Sequence, residues 1–414
     1  MLYELQEAQR ALLGPVSEWA AAMSRLYSNP YSPFSHLPLA VRTSAGFELL
    51  HRLGKEYDKP AWGLPSTTID GHEVTVVERI EASKPFCKLI KFERLFPRAL
   101  AGRPADPPVL LVTPLSGNHA TLLRDTVRAL LPDHDVWVTD WVDARLVPVA
   151  AGPFHLDDYV AYVIEFLRVL GPGVHVMAVC QPTVPVIAAV SLMSTLNDPC
   201  VPRSMTLMGG PIDTRESPTK VNDLATTRSY GWFRDNLIHA VPSNHPGAGR
   251  PVYPGFLQHM GFVVMNPNRH VDSHWDFFQD LVRGDHDDAE AHRRFYDEYN
   301  AVLDMPAEYY LETVKTVFQD HALPKGCWDV RFEGRTMRVA PQDIVASALL
   351  TVEGELDDIT GLGQTEAAHA LCSAIPAERR HHFVAAGVGH VGIFSGRRWR
   401  EEIYPKVRDH IRGA

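Results

Sequence analysis

Residues 175–193 read HVMAVCQPTVPVIAAVSLM, and the organisation of the whole chain follows from them. The first half is a short apolar run, typical of a strand that is buried on both faces of a parallel sheet. From Gln181 onward the aliphatic residues continue in a pattern that favours a helix buried on most sides. Cys180 lies at the junction, with almost no residues left over for a loop. The stretch therefore predicts a sharp strand-to-helix turn that exposes the Cys180 side chain.

A turn of this kind presents the nucleophile in α/β-hydrolases, where the N–H groups that follow it point at developing negative charge. The usual pattern is G-x-S-x-G, whereas this chain has Ala178-Val179-Cys180-Gln181-Pro182. Alanine is small enough for close packing, and Pro182 falls in the first helical turn, where its missing N–H costs little. This stretch alone leaves open the alternative that Cys180 is a buried apolar thiol, as most intracellular cysteines are.

Composition excludes several classes of protein. The chain has 414 residues, 45% of them hydrophobic, which is enough for one large core or two modest ones. A net charge of −10 without a basic run argues against a nucleic-acid partner. Five widely spaced cysteines predict neither a disulfide framework nor a zinc site. No apolar run reaches the roughly 20 residues of a membrane span, and charged residues interrupt positions 1–13, so we expect a cytoplasmic protein without a membrane span.

The order of apolar patterns predicts three parts. Residues 1–60 carry apolar side chains at helical spacing, broken at Gly14-Pro15, and predict a helical N-terminal extension. Residues 61–212 and 341–414 alternate strands and helices, so we expect an α/β-hydrolase core with a mostly parallel, doubly wound sheet. Residues 213–340 interrupt this alternation and predict an inserted, mainly helical cap domain.

The two helical parts are candidates for contact with a substrate. Most aromatic side chains of the cap are expected to form its own core. Tyr253, Phe256 and Trp275 are our candidates for lining an apolar cleft beneath the cap. The N-terminal extension is expected to pack on the core through its amphipathic face. The alternative is that this extension lies on the surface of a hydrophobic particle.

Three side chains follow the chain order of nucleophile, acid and base in an α/β-hydrolase. Cys180 ends one predicted strand, Asp357 follows the penultimate strand, and His390 lies in a glycine-rich loop after the last strand. Because the carboxyl ends of parallel strands meet at one edge of a sheet, we expect the three to lie together. His390 would take the thiol proton, and Asp357 would hold the imidazole in the required tautomer.

Backbone donors are also expected in this site. The N–H groups of Gln181 and Leu115 are the candidates for an oxyanion hole, Leu115 lying in the turn after the predicted strand 108–113. Ser116 follows in the same turn and is a candidate for lining the substrate cleft. As a rival nucleophile, Ser116 has the disadvantage that it does not lie at a strand-to-helix elbow.

Two other carboxylates compete for the role of the acid. Asp358 adjoins Asp357, and Asp213 follows the preceding strand, where some hydrolases carry their acid. The cluster Asp285-His286-Asp287-Asp288 has the composition of a metal site, but it also has the pattern of a solvated helix start, which is the interpretation we favour. We therefore expect neither a metal nor a cofactor.

Long strings of the chain resemble those of one family: VCQPTVPVIAAVSLM, PLSGNHATLLRDTVR, VTDWVDAR, MGGPID, VYPGFLQHMGF, RFYDEYNAVLDM, TVEGELDDI and GHVGIFSGRRWREEIYP. Over essentially its whole length the chain is similar to the intracellular poly(3-hydroxybutyrate) depolymerases. The resemblance implies an esterase that hydrolyses amorphous polymer granules in the cytoplasm, releasing 3-hydroxybutyrate oligomers and monomer. It also implies a Cys–Asp–His triad, here Cys180, Asp357 and His390, and the granule surface as the partner. Whether the chain forms a homo-oligomer stays open.

Three alternatives accompany this resemblance. Polyhydroxyalkanoate synthases are similar and share the cysteine nucleophile, but they usually carry Gly two places after it, where this chain has Pro182. Thiolysis is the second alternative, with coenzyme A rather than water taking the acyl group. The third is a granule-surface protein that keeps the fold without catalysis.

Overall fold

The computed structural model describes residues 2–265 and 267–414, apart from the side chains of Phe262, Met265, Pro267 and Arg269. The strands in this part of the chain are β1 (Ser66–Ile69), β2 (His72–Ser83), β3 (Cys87–Leu95), β4 (Pro108–Val112), β5 (Asp135–Trp141), β6 (His175–Val179), β7 (Ser204–Met208), β8 (His239–Ala240), β9 (Pro251–Tyr253), β10 (Met305–Pro306), β11 (Asp329–Phe332), β12 (Arg335–Arg338), β13 (Ala348–Gly354) and β14 (Arg380–Ala385).

The helices of the same residues are α1 (Leu2–Ser28), α2 (Ala40–Gly54), α3 (Arg124–Leu130), α4 (Leu156–Leu170), α5 (Thr183–Thr195), α6 (Lys220–Thr227), α7 (Tyr230–Leu237), α8 (Gly255–Met265), α9 (Pro267–Arg283), α10 (His286–Asn300), α11 (Ala307–Thr313), α12 (Ala368–Leu371), α13 (Gly396–Arg398) and α14 (Tyr404–Gly413). Each of them is too short or too polar to span a lipid bilayer.

A nine-stranded sheet with the order β1-β2-β3-β5-β4-β6-β7-β13-β14 forms the centre of the molecule. β1, β2, β3 and β5 pair antiparallel, and every pairing from β5 to β14 is parallel. β6, β7 and β13 are buried at every position, because both faces of this part of the sheet are covered. The predicted α/β-hydrolase fold, with its mostly parallel sheet, is confirmed.

Alternation along each strand divides the core into two layers, one on each face of the sheet. In β4, Leu110 and Val112 belong to the layer that includes α4 and α5. Val109 and Leu111 of the same strand belong to the other layer, with α3 and α14. α5 has no polar face, and its residues from Thr183 to Met193 are all buried. The continuous apolar run after Cys180 is thus explained by burial on all sides of this helix.

The N-terminal residues form two long helices, α1 and α2, that pack against each other. The predicted break at Gly14-Pro15 is wrong, because α1 continues through Pro15 without interruption. Contacts with α2 on the far side of the proline hold the helix together. The Ser17 hydroxyl lies 2.9 Å from His51 Nδ1, and the Ser24 hydroxyl lies 3.2 Å from that of Ser44. Tertiary contacts therefore outweigh the local penalty of proline.

A buried carboxylate cluster ties the start of α1 to the rest of the molecule. The Tyr3 hydroxyl donates to Asp304 Oδ2 at 2.6 Å, and the Asp304 N–H donates to Asp143 Oδ1 at 3.2 Å. Arg145 contacts the other oxygen of Asp143 at 2.8 Å. Burial, followed by the neighbouring charge of Asp304, raises the pKa of Asp143 to about 7. Burial raises the pKa of Asp304 as well.

The cluster predicts a pH-dependent stability. The pKa of Asp143 is about 4 in the unfolded chain and higher in the folded chain, so the folded state binds more protons between pH 4 and 7. Its stabilisation is present at low pH and is lost as pH rises through this window. We expect the free energy of unfolding of the wild type, relative to Asp143→Asn, to fall by about 1–3 kcal/mol from pH 5 to pH 8.

Urea denaturation at the two pH values measures this difference. Asp287→Asn, which removes an exposed carboxylate outside the cluster, is the matched control and should keep the wild-type slope. The prediction would be contradicted if the free energy of unfolding changed equally with pH in the wild type and in Asp143→Asn.

The predicted cap segment, residues 213–340, contains α6 to α11 and two small sheets. One small sheet has the order β10-β9-β8, and the other is the β11–β12 hairpin. The hairpin turns at Glu333 and Gly334, both with positive φ, as the tight turn requires. Val330 and Phe332 of the hairpin pack in the same core layer as α4. The division of the chain into three parts stays a prediction.

Candidate active site

Cys180 occupies a strained backbone position directly after β6. Its φ is +69°, in the left-handed region that a residue with a Cβ rarely adopts. Its N–H donates to the Met208 carbonyl at 2.7 Å, and its own carbonyl accepts from the Thr183 N–H and hydroxyl at 3.2 and 2.9 Å. These bonds to β7 and to the first turn of α5 hold the strained turn in place. The turn leaves the Cys180 side chain half-buried at the edge of the sheet.

His390 and Asp357 lie beside this turn. His390 Nδ1 donates to Asp357 Oδ2 at 2.7 Å, and both side chains are largely buried. The other Asp357 oxygen accepts the N–H groups of Ile359 and Thr360 at 2.9 and 2.8 Å, which fixes the carboxylate. Cys180 and His390 line the same cleft, close enough for the charge of Cys180 to raise the pKa of the imidazole. The structure thus brings Cys180, His390 and Asp357 together at one site, with a hydrogen bond between His390 and Asp357.

The charges around His390 favour the protonated form of its imidazole. Burial lowers the pKa of His390, but the negative charges of Cys180 and Asp357, and the hydrogen bond to Asp357, raise it. The net direction is upward, well above the ordinary value for histidine. An imidazole in this setting can take the proton of the neighbouring thiol, which produces the more nucleophilic thiolate.

Neither of the two rival carboxylates occupies the position of Asp357. Asp213 is paired with Arg215 through two bonds of 2.8 and 2.7 Å. Burial raises the pKa of Asp213, but the hydrogen bonds and the charge of Arg215 outweigh this effect and lower it. Asp358 is exposed and lines the cleft described below. The carboxylate on His390 Nδ1 is that of Asp357.

Burial distinguishes Cys180 from two of the other thiols. Cys87 is completely buried, and burial raises its pKa well above the ordinary value. Burial likewise raises the pKa of Cys372 to about 12. Thiols in such surroundings keep their proton at neutral pH and react slowly.

Of the two expected oxyanion donors, the Leu115 N–H already has a partner. The Leu115 N–H donates to Oε1 of the Gln181 side chain, at a distance of 3.4 Å. A carboxamide oxygen therefore takes the bond that a carbonyl oxygen of a substrate would take, and it must move aside for Leu115 to serve. At 3.4 Å this hydrogen bond is long and weak, so its displacement requires little free energy.

A cleft of about 610 Å³ opens above Cys180 and His390. Ser116, in the turn after β4, lines it. Its opposite wall comes from α9 and α10, with His270, Ser273, Phe295, Tyr296 and Tyr299. His270 Nδ1 lies 3.0 Å from the Tyr296 hydroxyl and its Nε2 lies 3.4 Å from the Tyr299 hydroxyl. The cleft thus combines an apolar wall with a few polar groups, as ligand clefts usually do.

The loop after β4 positions this wall. Asn118 donates to the carbonyls of Glu298 and Tyr299 at 3.3 and 3.1 Å, and the Leu303 N–H donates to the Gly117 carbonyl at 2.7 Å. These bonds join the end of α10 to the turn that carries Leu115. The wall and the oxyanion turn are consequently one connected unit.

Tyr253, Phe256 and Trp275, predicted to line the cleft, lie elsewhere in the described part of the chain. Tyr253 packs on Tyr310 with 4.2 Å between the ring centroids, and Phe256 packs edge-on against Tyr3 at 5.5 Å. Trp275 stacks on Phe278 at 5.5 Å and is largely exposed. Phe256 lines a neighbouring cavity that shares His270, Tyr296 and Tyr299 with the cleft. The assignment of Tyr253, Phe256 and Trp275 to an apolar cleft beneath the cap stays a prediction.

Among the described residues, one group of side chains has the spacing of metal ligands. It consists of Glu353, Glu366 and His382 and lies away from this cleft. Both Glu353 oxygens already accept backbone N–H groups, from Gly363, Thr365 and Glu366, at 2.7–2.9 Å. Glu353 therefore serves to hold the loop after β13. In the other acidic cluster, Asp285 caps α10 by accepting the Asp288 N–H at 3.3 Å, in agreement with a helix start.

Residues 209–414, which contain Asp357, His390 and the α9–α10 wall, match the family described as PHB de-polymerase C-terminus. Over these residues the chain belongs to the PHB depolymerase family. Together with the α/β-hydrolase fold, membership of this depolymerase family makes the protein a hydrolase. No curated protein matches the chain.

Solved structures similar to this depolymerase-family chain are distant. An esterase from Thermogutta terrifontis is 12% identical over 84% of this chain and 97% of its own, with a TM-score of 0.40. A monoacylglycerol lipase from Paleococcus ferrophilus is 13% identical over 75% and 97%, with a TM-score of 0.41. A carboxylesterase from Bacillus subtilis is 10% identical over 83% and 93%, with a TM-score of 0.40. Likenesses this distant carry no information about the substrate of this protein.

Proposed function

We propose that this protein hydrolyses amorphous poly(3-hydroxybutyrate) on intracellular granules, through an acyl-enzyme on Cys180. The observation that carries the proposal is that Cys180 lies beside His390 in an open cleft, and that Asp357 hydrogen-bonds the Nδ1 of this imidazole. The match of residues 209–414 to the depolymerase family supports this polyester as the substrate.

In the first half of the reaction the Cys180 proton passes to His390 Nε2, and the sulfur attacks an ester carbonyl of the polymer. The N–H groups of Gln181 and Leu115 stabilise the resulting oxyanion, once the Gln181 carboxamide has moved aside. The tetrahedral intermediate collapses as the carbon–oxygen bond breaks, and the leaving alkoxide takes the proton back from His390. A thioester on Cys180 and a shortened chain with a free hydroxyl remain.

In the second half water replaces the alcohol. His390 takes a proton from water, and the hydroxide attacks the thioester. The carbon–sulfur bond breaks, the thiolate regains its proton from His390, and a product with a free carboxylate leaves. Asp357 holds the Nδ1 proton throughout, so that Nε2 is free to accept and donate.

A trapped adduct tests this mechanism. We expect a 3-hydroxybutyrate trimer, quenched in acid during turnover, to add one acyl mass to the peptide that contains Cys180. Hydroxylamine should remove the adduct, as it does for a thioester. Mass spectrometry locates the adduct, and Cys180→Ala is the control that should carry none. An adduct on Ser116 of the wild type would contradict the mechanism.

The same experiment separates hydrolysis from thiolysis. With coenzyme A present, we expect free 3-hydroxybutyrate and its oligomers as products, because the proposal has water as the acyl acceptor. A coenzyme A thioester of 3-hydroxybutyrate as the main product would replace hydrolysis by acyl transfer.

A further inference from the structure

The exposed apolar side chains of this protein are concentrated in one region. In the described part of the chain, more than half of the large apolar side chains that are exposed belong to residues 2–53, α8 and α9. Leu12 is 76% exposed, Leu53 63% and Val271 68%. Single exposed apolar residues are ordinary, but a contiguous group marks a surface that binds something apolar.

Four of these side chains come together in space, although they belong to distant segments of the chain. α2 packs on both α1 and α9. Leu13, Leu53, Met260 and Val271, from four different helices, line a single open cavity of about 580 Å³. We call these four residues, together with Trp275, which lies one helical turn after Val271 on α9, the apolar face.

The apolar face reaches the cleft through α9. Val271 and Trp275 belong to the face, whereas Ser273 of the same helix lines the cleft above Cys180. His270, Tyr296 and Tyr299 border both cavities and form the wall between them. An apolar surface seated on the face would consequently lie next to the entrance of the cleft.

We propose that the apolar face is the surface by which the protein docks on amorphous polyester, placing the cleft against the polymer. The inference rests on the proposed function, since the same polymer must then enter the cleft. Docking would bury the face against neutral ester and methyl groups, and removing such apolar area from water stabilises the complex.

The charges around the face favour a neutral surface over an anionic lipid membrane. Arg52 and Lys55 share the carboxylate of Asp297 at 2.9 and 3.0 Å, and Arg10 lies 3.4 Å from Glu7. Helices that bind anionic membranes carry unpaired lysines and arginines on their polar face. Here the cations next to the apolar residues are neutralised, as suits an uncharged polyester.

Cosedimentation with artificial amorphous poly(3-hydroxybutyrate) particles tests the proposal. The full chain carries Cys180→Ala, so that hydrolysis does not erode the particles and the result does not depend on activity. We expect the triple variant Leu13→Gln, Leu53→Gln, Val271→Gln to bind at least about tenfold more weakly, as follows from the apolar area removed. The matched control, Leu95→Gln, Val169→Gln, Val345→Gln, alters exposed apolar residues outside the face and should bind within twofold of the parent.

Two further measurements accompany the binding assay. With Cys180 intact, the triple variant should hydrolyse soluble 4-nitrophenyl butyrate like the wild type, which shows that it folds. If the proposed function fails, the protein releases no 3-hydroxybutyrate from the particles, yet loss of docking by the triple variant remains measurable.

Three outcomes would overturn the docking proposal. The first is equal binding of the triple variant and its parent. The second is dissociation of a dimer by the triple substitution with unchanged particle binding, which would assign the face to a second copy of the chain. The third is equally strong binding of the parent to vesicles of anionic phospholipid, which would assign the face to a membrane.

Discussion

Cys180→Ala is expected to lower kcat for the release of 3-hydroxybutyrate from amorphous polymer by about 10⁴-fold or more. The variant lacks the sulfur that forms the acyl-enzyme, and the proposed mechanism has no second activated nucleophile to replace it. His390→Ala should lower kcat about as much, because the two neighbouring side chains act as one unit in the proposed mechanism. The double variant should therefore be no slower than either single variant. Product release measured by liquid chromatography checks all three.

Cys200→Ala is the control for this series. Cys200 is a half-buried thiol like Cys180, but it lies after α5 and outside the cleft. We expect it to keep wild-type kcat. A Cys180→Ala variant with more than a tenth of wild-type activity would contradict the assignment of the nucleophile, and effects of the single variants that multiply in the double variant would contradict their action as a unit.

Asp357→Asn should lower kcat by about 10²–10⁴-fold while the fold is retained. The amide oxygen can keep the bonds from the Ile359 and Thr360 N–H groups. Its NH₂ group then faces His390 Nδ1 and cannot accept the Nδ1 proton, so the imidazole turns to the wrong tautomer. Steady-state kinetics with soluble 4-nitrophenyl butyrate measures the loss, and thermal unfolding verifies the fold.

The rival acids supply the controls for Asp357. Asp358→Asn alters the adjacent carboxylate, and Asp213→Asn alters the one that is paired with Arg215. We expect both variants to keep kcat within about tenfold of wild type, since neither carboxylate contacts His390 Nδ1. If Asp213→Asn lowered kcat as much as Asp357→Asn does, the assignment of Asp357 as the acid would be contradicted.

Local patterns predicted much of the fold. The apolar run before Cys180 corresponds to β6, and the aliphatic run after it corresponds to α5. A strand or a helix that is buried on all sides requires apolar residues at nearly every position. The positions of Asp357 and His390 after β13 and β14 followed from the same alternation, since parallel strands end at one edge. Short elements with weak patterns, such as β1 and β8, were not predicted.

The wall of the cleft was not predicted, although a signal exists. Phe295 and Tyr299 are one helical turn apart on α10, and Tyr296 adjoins them, so aromatic spacing alone could have marked this helix. Which aromatic helix covers Cys180 depends on bonds such as those of Asn118 to the end of α10. Contacts between residues some 180 positions apart leave no trace in local spacing. For this reason the prediction from sequence named Tyr253, Phe256 and Trp275 rather than the aromatic residues of α10.

The alternation of strands and helices along the chain, the elbow at Cys180 and the succession of Cys180, Asp357 and His390 were determined by the sequence alone. Each depends on apolar periodicity and on neighbours along the chain. Only the tertiary structure decided that Asp357 rather than Asp213 contacts His390, that Gln181 covers the Leu115 N–H, and that α9 and α10 enclose the cleft. These arrangements depend on packing between distant segments, whose free energy local sequence preferences do not encode.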